Sequence, residues 1–351
     1  MIEKSLSSPV LTLIVPVYNE QEALPPAFDR LDAVMKDTGE TYEVIIIDNG
    51  SFDRTEQIAQ GLVAQNSAWR YIRLSRNFTY QNSISAAMAM AHGQAIIVID
   101  VDLQDPPEMI HDFIKHWREG YDIVYGIREK RFGEPPLKVW ATMLAMRFVS
   151  WMADYDLPTF SGDFRLISAR VRDVFMQMPE SNRYVRGMIH WVGFKQKGIP
   201  YERQGRQYGR SATIYGLKGI IFLIMFTLNA IFAFSLKPLR VFSLFGVFTL
   251  LMATLLFIYN IIASVIGHPQ PGILTLILLM IVQIGITSLG IGVLGEYLGR
   301  TYTESKRRPL WIVDYALNFD DPIRTSYELE HRIRQTSDEP KLVDQSHAEI
   351  N

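Results

Sequence analysis

Asp100, Asp102, Gln104 and Asp105 close the segment IVIDVDLQDPPE, directly after an apolar run and ahead of Pro106 and Pro107, which suit the start of a helix. Two carboxylates one residue apart at a strand end can share a divalent cation. Mg2+ and Mn2+ favour carboxylate and carbonyl oxygens, and Mg2+ completes its shell with water and phosphate oxygens. A bound ion of this kind would neutralise a departing diphosphate. The same Asp-x-Asp pair can also simply cap the turn and helix that follow. Asp48, Asn49, Gly50 and Ser51 form a second polar cluster, in which a carboxylate can accept a hydrogen bond from a base imide or a ribose hydroxyl. An Asx-turn with Asn49 and Gly50 in left-handed geometry is the other reading, and the two are compatible. Pro16, Tyr18, Asn19 and Glu20 follow a third apolar run. There an aromatic ring could pack near a nucleobase and Glu20 could bond a ribose, although alone the four residues are only a strand-to-helix turn.

The elements that must position these residues are legible as short β-branched runs alternating with helical patterns between residues 10 and 126: VLTLIVPV, EVIIID from Glu43, YIRL from Tyr71, AIIVID from Ala95 and DIVYG from Asp122. This alternation predicts an α/β fold with a parallel, doubly wound sheet whose apolar strands are covered by helices on both faces. Such sheets bind ligands beyond the C-terminal ends of their strands, which is where Val17, Asp48 and Asp100 stand. That location favours the cation over the capping role for the Asp100 and Asp102 pair. Residues 127–213 are rich in Arg, Gly and aromatics with less regular periodicity, as expected of an acceptor-side lobe. The stretch after Leu310 is polar and charged, and its last residues read as disordered.

The C-terminal third has another character. From Val241 to Gly295 there is no Asp, Glu, Lys or Arg, and GHPQPG (Gly267 to Gly272) divides the run into two halves, each long enough to span a bilayer. Lys237 and Arg240 precede the first span, Arg300, Lys306, Arg307 and Arg308 follow the second, and the connecting loop has no Lys or Arg. The positive-inside rule places both clusters in the cytoplasm. Residues 219–236 are also uncharged, but a span there would put the preceding lobe on the opposite side, so an interfacial helix is expected instead. The formal net charge of -2 gives no support for a general nucleic-acid binder, and the absence of cysteine excludes a disulfide framework. Val10 to Val15 is too short for a signal-peptide core and is expected to be the first strand. His92, His111, His116 and His190 lack zinc-site spacing.

Taken together, LIVPVYNE, IIIDNGSFDRT, LSRNF, VIDVDLQDPPE, GDFRL, YVRGMIHWVGF and GEYLGRTYTESKRRP occur in an order that resembles the polyprenyl-phosphate glycosyltransferases of glycosyltransferase family 2. The similarity is to bactoprenol glucosyltransferases and dolichyl-phosphate mannose synthases and covers roughly residues 10 to 312. It implies a nucleotide-diphospho-sugar domain of Rossmann-like GT-A fold over residues 1–213, an interfacial amphipathic helix at 214–238, two transmembrane helices (about 239–266 and 272–297) and a cytoplasmic segment and tail over 299–351. It implies that Asp48 contacts the donor base, that Asp100, Asp102 and Gln104 hold Mg2+ or Mn2+, and that Asp163 of GDFRL is the catalytic carboxylate with Arg165 beside it. Arg203 and Arg206 match basic positions that bind phosphate. Arg128, Arg131 and Lys138 join them as acceptor-phosphate candidates, because guanidinium grips phosphate bidentately, with lipid headgroup or solvent contact as the alternative for Arg131 and Lys138. The chain departs from the family pattern at Asn49, at Thr79 and Tyr80, and at Ala212.

The implied reaction is inverting transfer of a hexose, with UDP-glucose favoured, to undecaprenyl or another polyprenyl phosphate at the cytoplasmic face of a bacterial inner membrane. The alternatives are GDP-mannose or another UDP-sugar as donor, a processive polysaccharide synthase, and an inactive scaffold. The synthase would look for a Gln-x-x-Arg-Trp motif, which is absent. Gly285, Ser288, Gly290, Gly292 and Gly295 permit close helix contact within or between chains, so a homo-oligomer, a tetramer by resemblance, is a further expectation.

Overall fold

The computed structural model describes residues 9–131, 161–205, 235–266 and 272–319, with Arg147 and Phe232 as isolated positions. Lys138, Arg206 and nearly all of the expected interfacial helix at 214–238 lie outside the described residues, as does the tail beyond 319, and of Arg131 only the backbone is described. The chain divides into two units, with breaks at 135/136, 159/160, 212/213 and 307/308.

The first unit is built on one eight-stranded sheet. Its strands are β1 (Leu11–Val17), β2 (Tyr42–Asp48), β3 (Trp69–Leu74), β4 (Ala95–Val98), β5 (Ile123–Arg131), β6 (Ser161–Ser168), β7 (Gln196–Arg203) and β8 (Val313–Leu317), in the order β7-β5-β6-β4-β1-β2-β3-β8. Four of them, β4-β1-β2-β3, are parallel neighbours, as the alternation predicts. Along them, side chains alternate strictly between two cores. Leu13, Val15 and Ile46 pack under α1 (Leu24–Asp37), α2 (Thr55–Gln65) and α4 (Ile110–Arg118). Ile14, Ile45 and Ile47 pack on the other face with α3 (Tyr80–Met90), α5 (Ala169–Gln177) and α6 (Val185–Trp191).

Two features correct the sequence expectation. The sheet is mixed, because β6 enters antiparallel between β4 and β5 instead of β5 pairing directly with β4. Its charged alternate residues, Asp163 and Arg165, mask the period-two pattern of Phe164, Leu166 and the rest of the strand. In addition, the polar stretch after Leu310 contains β8, which pairs antiparallel with β3 at the sheet edge. Leu310 and Trp311 are buried just ahead of it.

The second unit contains α7 (Lys237–Val265) and α8 (Ile273–Ser305), of 29 and 33 residues. Both are long and apolar enough to cross a membrane. At 1.5 Å per residue each exceeds the ~30 Å hydrocarbon thickness. Gly290 packs under the Phe242 ring, where a Cβ would meet Cδ1 at 3.4 Å. Gly285, Gly292 and Gly295 face open space among the described residues.

A polar clasp holds the parallel strands in register. Glu43, 2% exposed, accepts hydrogen bonds from Thr12 Oγ1 (2.6 Å) and the His92 amide (2.6 Å), and pairs with Arg70 Nη1 (3.0 Å). Gly93 lets the strands approach, since a Cβ there would lie 2.5 Å from the Thr12 nitrogen. Burial alone would raise the Glu43 carboxyl. The hydrogen bonds from His92 and Thr12 and the Arg70 charge outweigh it and hold the group below the ordinary glutamate value. A depressed carboxyl contributes stability that is complete above its unfolded pKa and is lost as pH falls through the folded one. Glu43→Gln should therefore lower thermal stability at neutral pH by about 1–3 kcal/mol, with the gap to wild type closing in acid. Tryptophan-monitored melting of the full-length protein across pH 3–8 in detergent, roughly the range in which a carboxyl titrates, checks this.

Candidate active site

Beyond the C-terminal ends of β1, β2 and β4 lies a cavity of about 810 Å³. Its lining comes from the turns after β1 and β2, from Asn77 and Tyr80, and from Asp100 to Asp102. The two turns lock each other. The Asn19 amide donates to Ser51 Oγ (2.9 Å), Asn19 Oδ1 accepts from the Phe52 amide (3.0 Å), and the Glu20 amide donates to Thr55 Oγ1 (2.8 Å). Asn19 has φ 56°, a left-handed conformation that Asn tolerates better than most residues.

Pro16, Tyr18, Asn19 and Glu20 all line this cavity. Tyr18, 41% exposed, meets Phe52, 82% exposed, edge to face at 6.1 Å. Asp48 does not reach the cavity. It is fully buried, with Oδ1 accepting from the Ser51 amide (2.8 Å) and hydroxyl (2.6 Å) and Oδ2 from Tyr71 (2.7 Å) and Arg73 (2.9 Å). The residue that does line it is Asn49, whose side chain accepts from the Phe78 amide (2.9 Å) and donates to Asn77 Oδ1 (3.2 Å). The Asx-turn reading thus describes Asp48 in this structure, and the turn it shapes carries Asn49 to the cavity.

At the acidic end, the antiparallel register of β6 on β4 sets Val98 across from Arg165 and, continued past β4, brings Asp163 abreast of Asp100. Tyr80, at the first position of α3, donates its hydroxyl to Asp100 Oδ1. Burial, then the charges of Asp163, Asp105 and Asp102, push the Asp100 carboxyl up to about 6, against the opposing Tyr80 hydrogen bond. Asp102 accepts only from the Gln104 amide (3.2 Å) among the described hydrogen bonds. Gln104 itself stands outside the cavity lining, and among the described residues no three acidic or histidine side chains converge on one point.

Asp163 is held differently. Arg186 grips it with Nε on Oδ1 (2.8 Å) and Nη2 on Oδ2, and Arg165 Nη2 lies 4.0 Å away. Burial would raise the Asp163 carboxyl, but the Arg186 charge and hydrogen bonds dominate and keep it below the ordinary aspartate range. Arg165 is buried and donates to the Gly162 carbonyl (2.7 Å).

Arg128 and Arg203 meet at Asp105. Arg128 Nη2 lies 3.3 Å from Oδ2, Arg203 Nε 3.3 Å from Oδ1, and Tyr201 donates to Oδ1. A Cβ at Gly162 would lie 2.8 Å from Arg128 Nη2, so a larger residue there would displace the guanidinium. Arg186, Tyr80, Asn77, Phe52 and the pairing role of Asp105 were not assigned from sequence. Arg186 stands inside YVRGMIHWVGF and Tyr80 directly follows the LSRNFT stretch, but neither has a spacing that marks chemistry.

A family model described as glycosyl transferase family 2 matches residues 12–175. The uncharacterized glycosyltransferase YkcC of Bacillus subtilis (strain 168) is 40% identical over 88% of this chain and 95% of its own length. The uncharacterized glycosyltransferase sll0501 of Synechocystis sp. is 36% identical over 86% and 94%, and the bactoprenol glucosyl transferase of Shigella phage SfV is 34% identical over 86% and 97%. Similarity that runs through both the sheet unit and the helical pair means that this chain, with its GT-A Rossmann-like α/β fold, belongs to glycosyl transferase family 2 and is a glycosyltransferase.

Proposed function

We propose that the enzyme transfers a hexose, with glucose from UDP-glucose favoured, to the phosphate of undecaprenol or another polyprenol, on the cytoplasmic face of a bacterial inner membrane. The observation that carries this reading is the meeting, at one sheet end, of a nucleotide-sized cavity with Asp100 and Asp102 on its wall and two arginine-bearing carboxylates beside them. The name of the phage relative, a bactoprenol glucosyl transferase, supports the lipid acceptor. Membrane topology is supported by β8. It follows α8 in sequence yet pairs in the same sheet as β1 to β3, which requires an even number of bilayer crossings between them. Two spans, α7 and α8, meet that requirement, with 214–238 at the interface.

Asp100 and Asp102 suit a divalent cation, Mg2+ or Mn2+, because two crowded carboxylates leave the rest of the shell to water and diphosphate oxygens, with Gln104 as the expected additional ligand. When bound, the ion would supply charge neutralisation to the leaving diphosphate. Tyr18 and Phe52 flank the nucleobase, Glu20 takes the ribose, and the Asp48 turn presents Asn49 to the donor. Arg128 and Arg203 take the acceptor phosphate, together with Arg206 and, at the rim, Arg131 and Lys138. Arg203 supports this role, because its buried Nε is ion-paired with Asp105 at 3.3 Å but makes no hydrogen bond among the described residues. A phosphate monoester is largely dianionic at neutral pH, its second pKa being about 6, so its oxygen attacks the anomeric carbon without a strong base. The carbon–oxygen bond to the diphosphate breaks, the electron pair leaves with the nucleoside diphosphate, and the anomer inverts. Asp163, kept ionised by Arg186, orients the reactants and Arg165 supports it.

Sugar transfer from a panel of UDP- and GDP-sugars to undecaprenyl phosphate tests the reading. One donor should give a lipid product that EDTA abolishes, and Asp102→Ala should lower kcat/KM by about 10²–10³-fold. No lipid product from any donor with folded protein would sink the polyprenyl-phosphate reading. Donor hydrolysis alone would then point to another acceptor, and complete inactivity to a scaffold. Arg128→Lys keeps the charge but loses the fork, so the acceptor KM should rise about tenfold while the donor KM stays constant. Equal changes in both would remove Arg128 from the acceptor side.

A further inference from the structure

The strand that follows the membrane helices touches the nucleotide end of the sheet through a continuous polar chain. Tyr315, in the middle of β8, donates its hydroxyl to Glu56 Oε1 (2.6 Å) and accepts from Gln60 Nε2 (2.7 Å), both on the first turns of α2. Glu56 Oε2 pairs with Arg73 Nη1 at 3.1 Å. The same Arg73 nitrogen holds Asp48 Oδ2 (2.9 Å), while Nη2 donates to the Ser51 carbonyl (3.0 Å). Asp314, beside Tyr315, lies 3.9 Å from Arg73 Nε, and the Tyr315 ring packs 5.8 Å from Tyr71, whose hydroxyl donates to the same Asp48 Oδ2. Tyr71 and Arg73, the two side chains from β3 that hold the Asp48 carboxylate, are thus both braced by β8.

We infer that Tyr315 is a positioning residue for donor binding, acting through Glu56 and Arg73 on the turn that carries Asn49 to the cavity. Glu56 and Asp48 compete for one guanidinium. The Tyr315 hydroxyl satisfies Glu56 from the far side and leaves Arg73 for Asp48 and the Ser51 carbonyl. Without that hydroxyl Glu56 turns fully onto Arg73 and draws it off Asp48, and the interlock of Ser51 with Asn19 loosens. The cost falls on the donor, not on the acceptor phosphate or the bond-making step. This inference rests on the proposed donor role of the cavity.

The test uses the full-length protein in detergent with Mn2+, titrated with UDP and with GDP, alongside steady-state kinetics with whichever nucleotide-sugar the wild type uses. Tyr315→Phe should weaken nucleotide binding and raise donor KM by about fivefold, the scale of one lost hydrogen bond, with acceptor KM and kcat unchanged. Adding Glu56→Gln should cause no further loss, because the two residues act in series. Tyr42→Phe, which removes a hydroxyl bonded to Asp32 elsewhere in the unit, should leave nucleotide binding unaltered. Wild type that binds nucleotide with Tyr315→Phe at equal affinity overturns the inference alone, as does a Tyr315→Phe effect shared equally by kcat and both KM values. Wild type that binds neither nucleotide overturns the donor reading, and this inference with it.

Discussion

Charge crowding at one end of the sheet governs the arrangement of this enzyme. Asp100, Asp102, Asp105 and Asp163 are gathered where helices and strands exclude much of the water, and like charges in such surroundings disfavour ionisation unless they are compensated. Compensation is divided unequally. Asp163 has Arg186, and Asp105 has Arg128, Arg203 and Tyr201. The pair on the cavity wall, Asp100 and Asp102, has only a tyrosine hydroxyl and a backbone amide among the described hydrogen bonds. The uncompensated charge is therefore concentrated where a cation and a diphosphate would meet it.

The mixed topology is what permits that division. A purely parallel sheet would have placed the end of β5 next to Asp100. With β6 inserted antiparallel, a strand begins there instead, and its second and third residues, Gly162 and Asp163, enter the site from the opposite direction. Gly162 admits the Arg128 guanidinium over the backbone, and Asp163 faces Asp100. One strand reversal thus brings together the arginines of β5 and β7 and the carboxylates that follow β4.

Much of this was legible in the amino-acid order. The parallel strands β1 to β4 announce themselves because buried β-branched runs have no other purpose, and the turns after them are polar where ligand chemistry needs them to be. Tyr18, Glu20, Asp100 and Asp102 reach the cavity as expected. Strand β6 was hidden because charges at 163 and 165 break the hydrophobic alternation by which strands are recognised. β8 was hidden for a related reason, since an edge strand needs only one apolar face and Asp314 and Asn318 make it read as a solvated tail. Arg186 and Tyr80 act through partners far away in sequence, and no local pattern encodes such a pairing. Asp48 shows the converse, a residue that ends β2 but whose contacts turn inward instead of toward the cavity.

The late position of β8 also bears on how the enzyme is made. Gln60 and Tyr315 are joined across 255 residues, and two helices long and apolar enough to cross a membrane leave the ribosome before the strand that completes the sheet. Until then β3 is an open edge with unpaired backbone groups, a template for the wrong partner. A nascent chain that stalls before β8 would keep that edge exposed, and would display to chaperones and proteases a surface that the finished enzyme conceals.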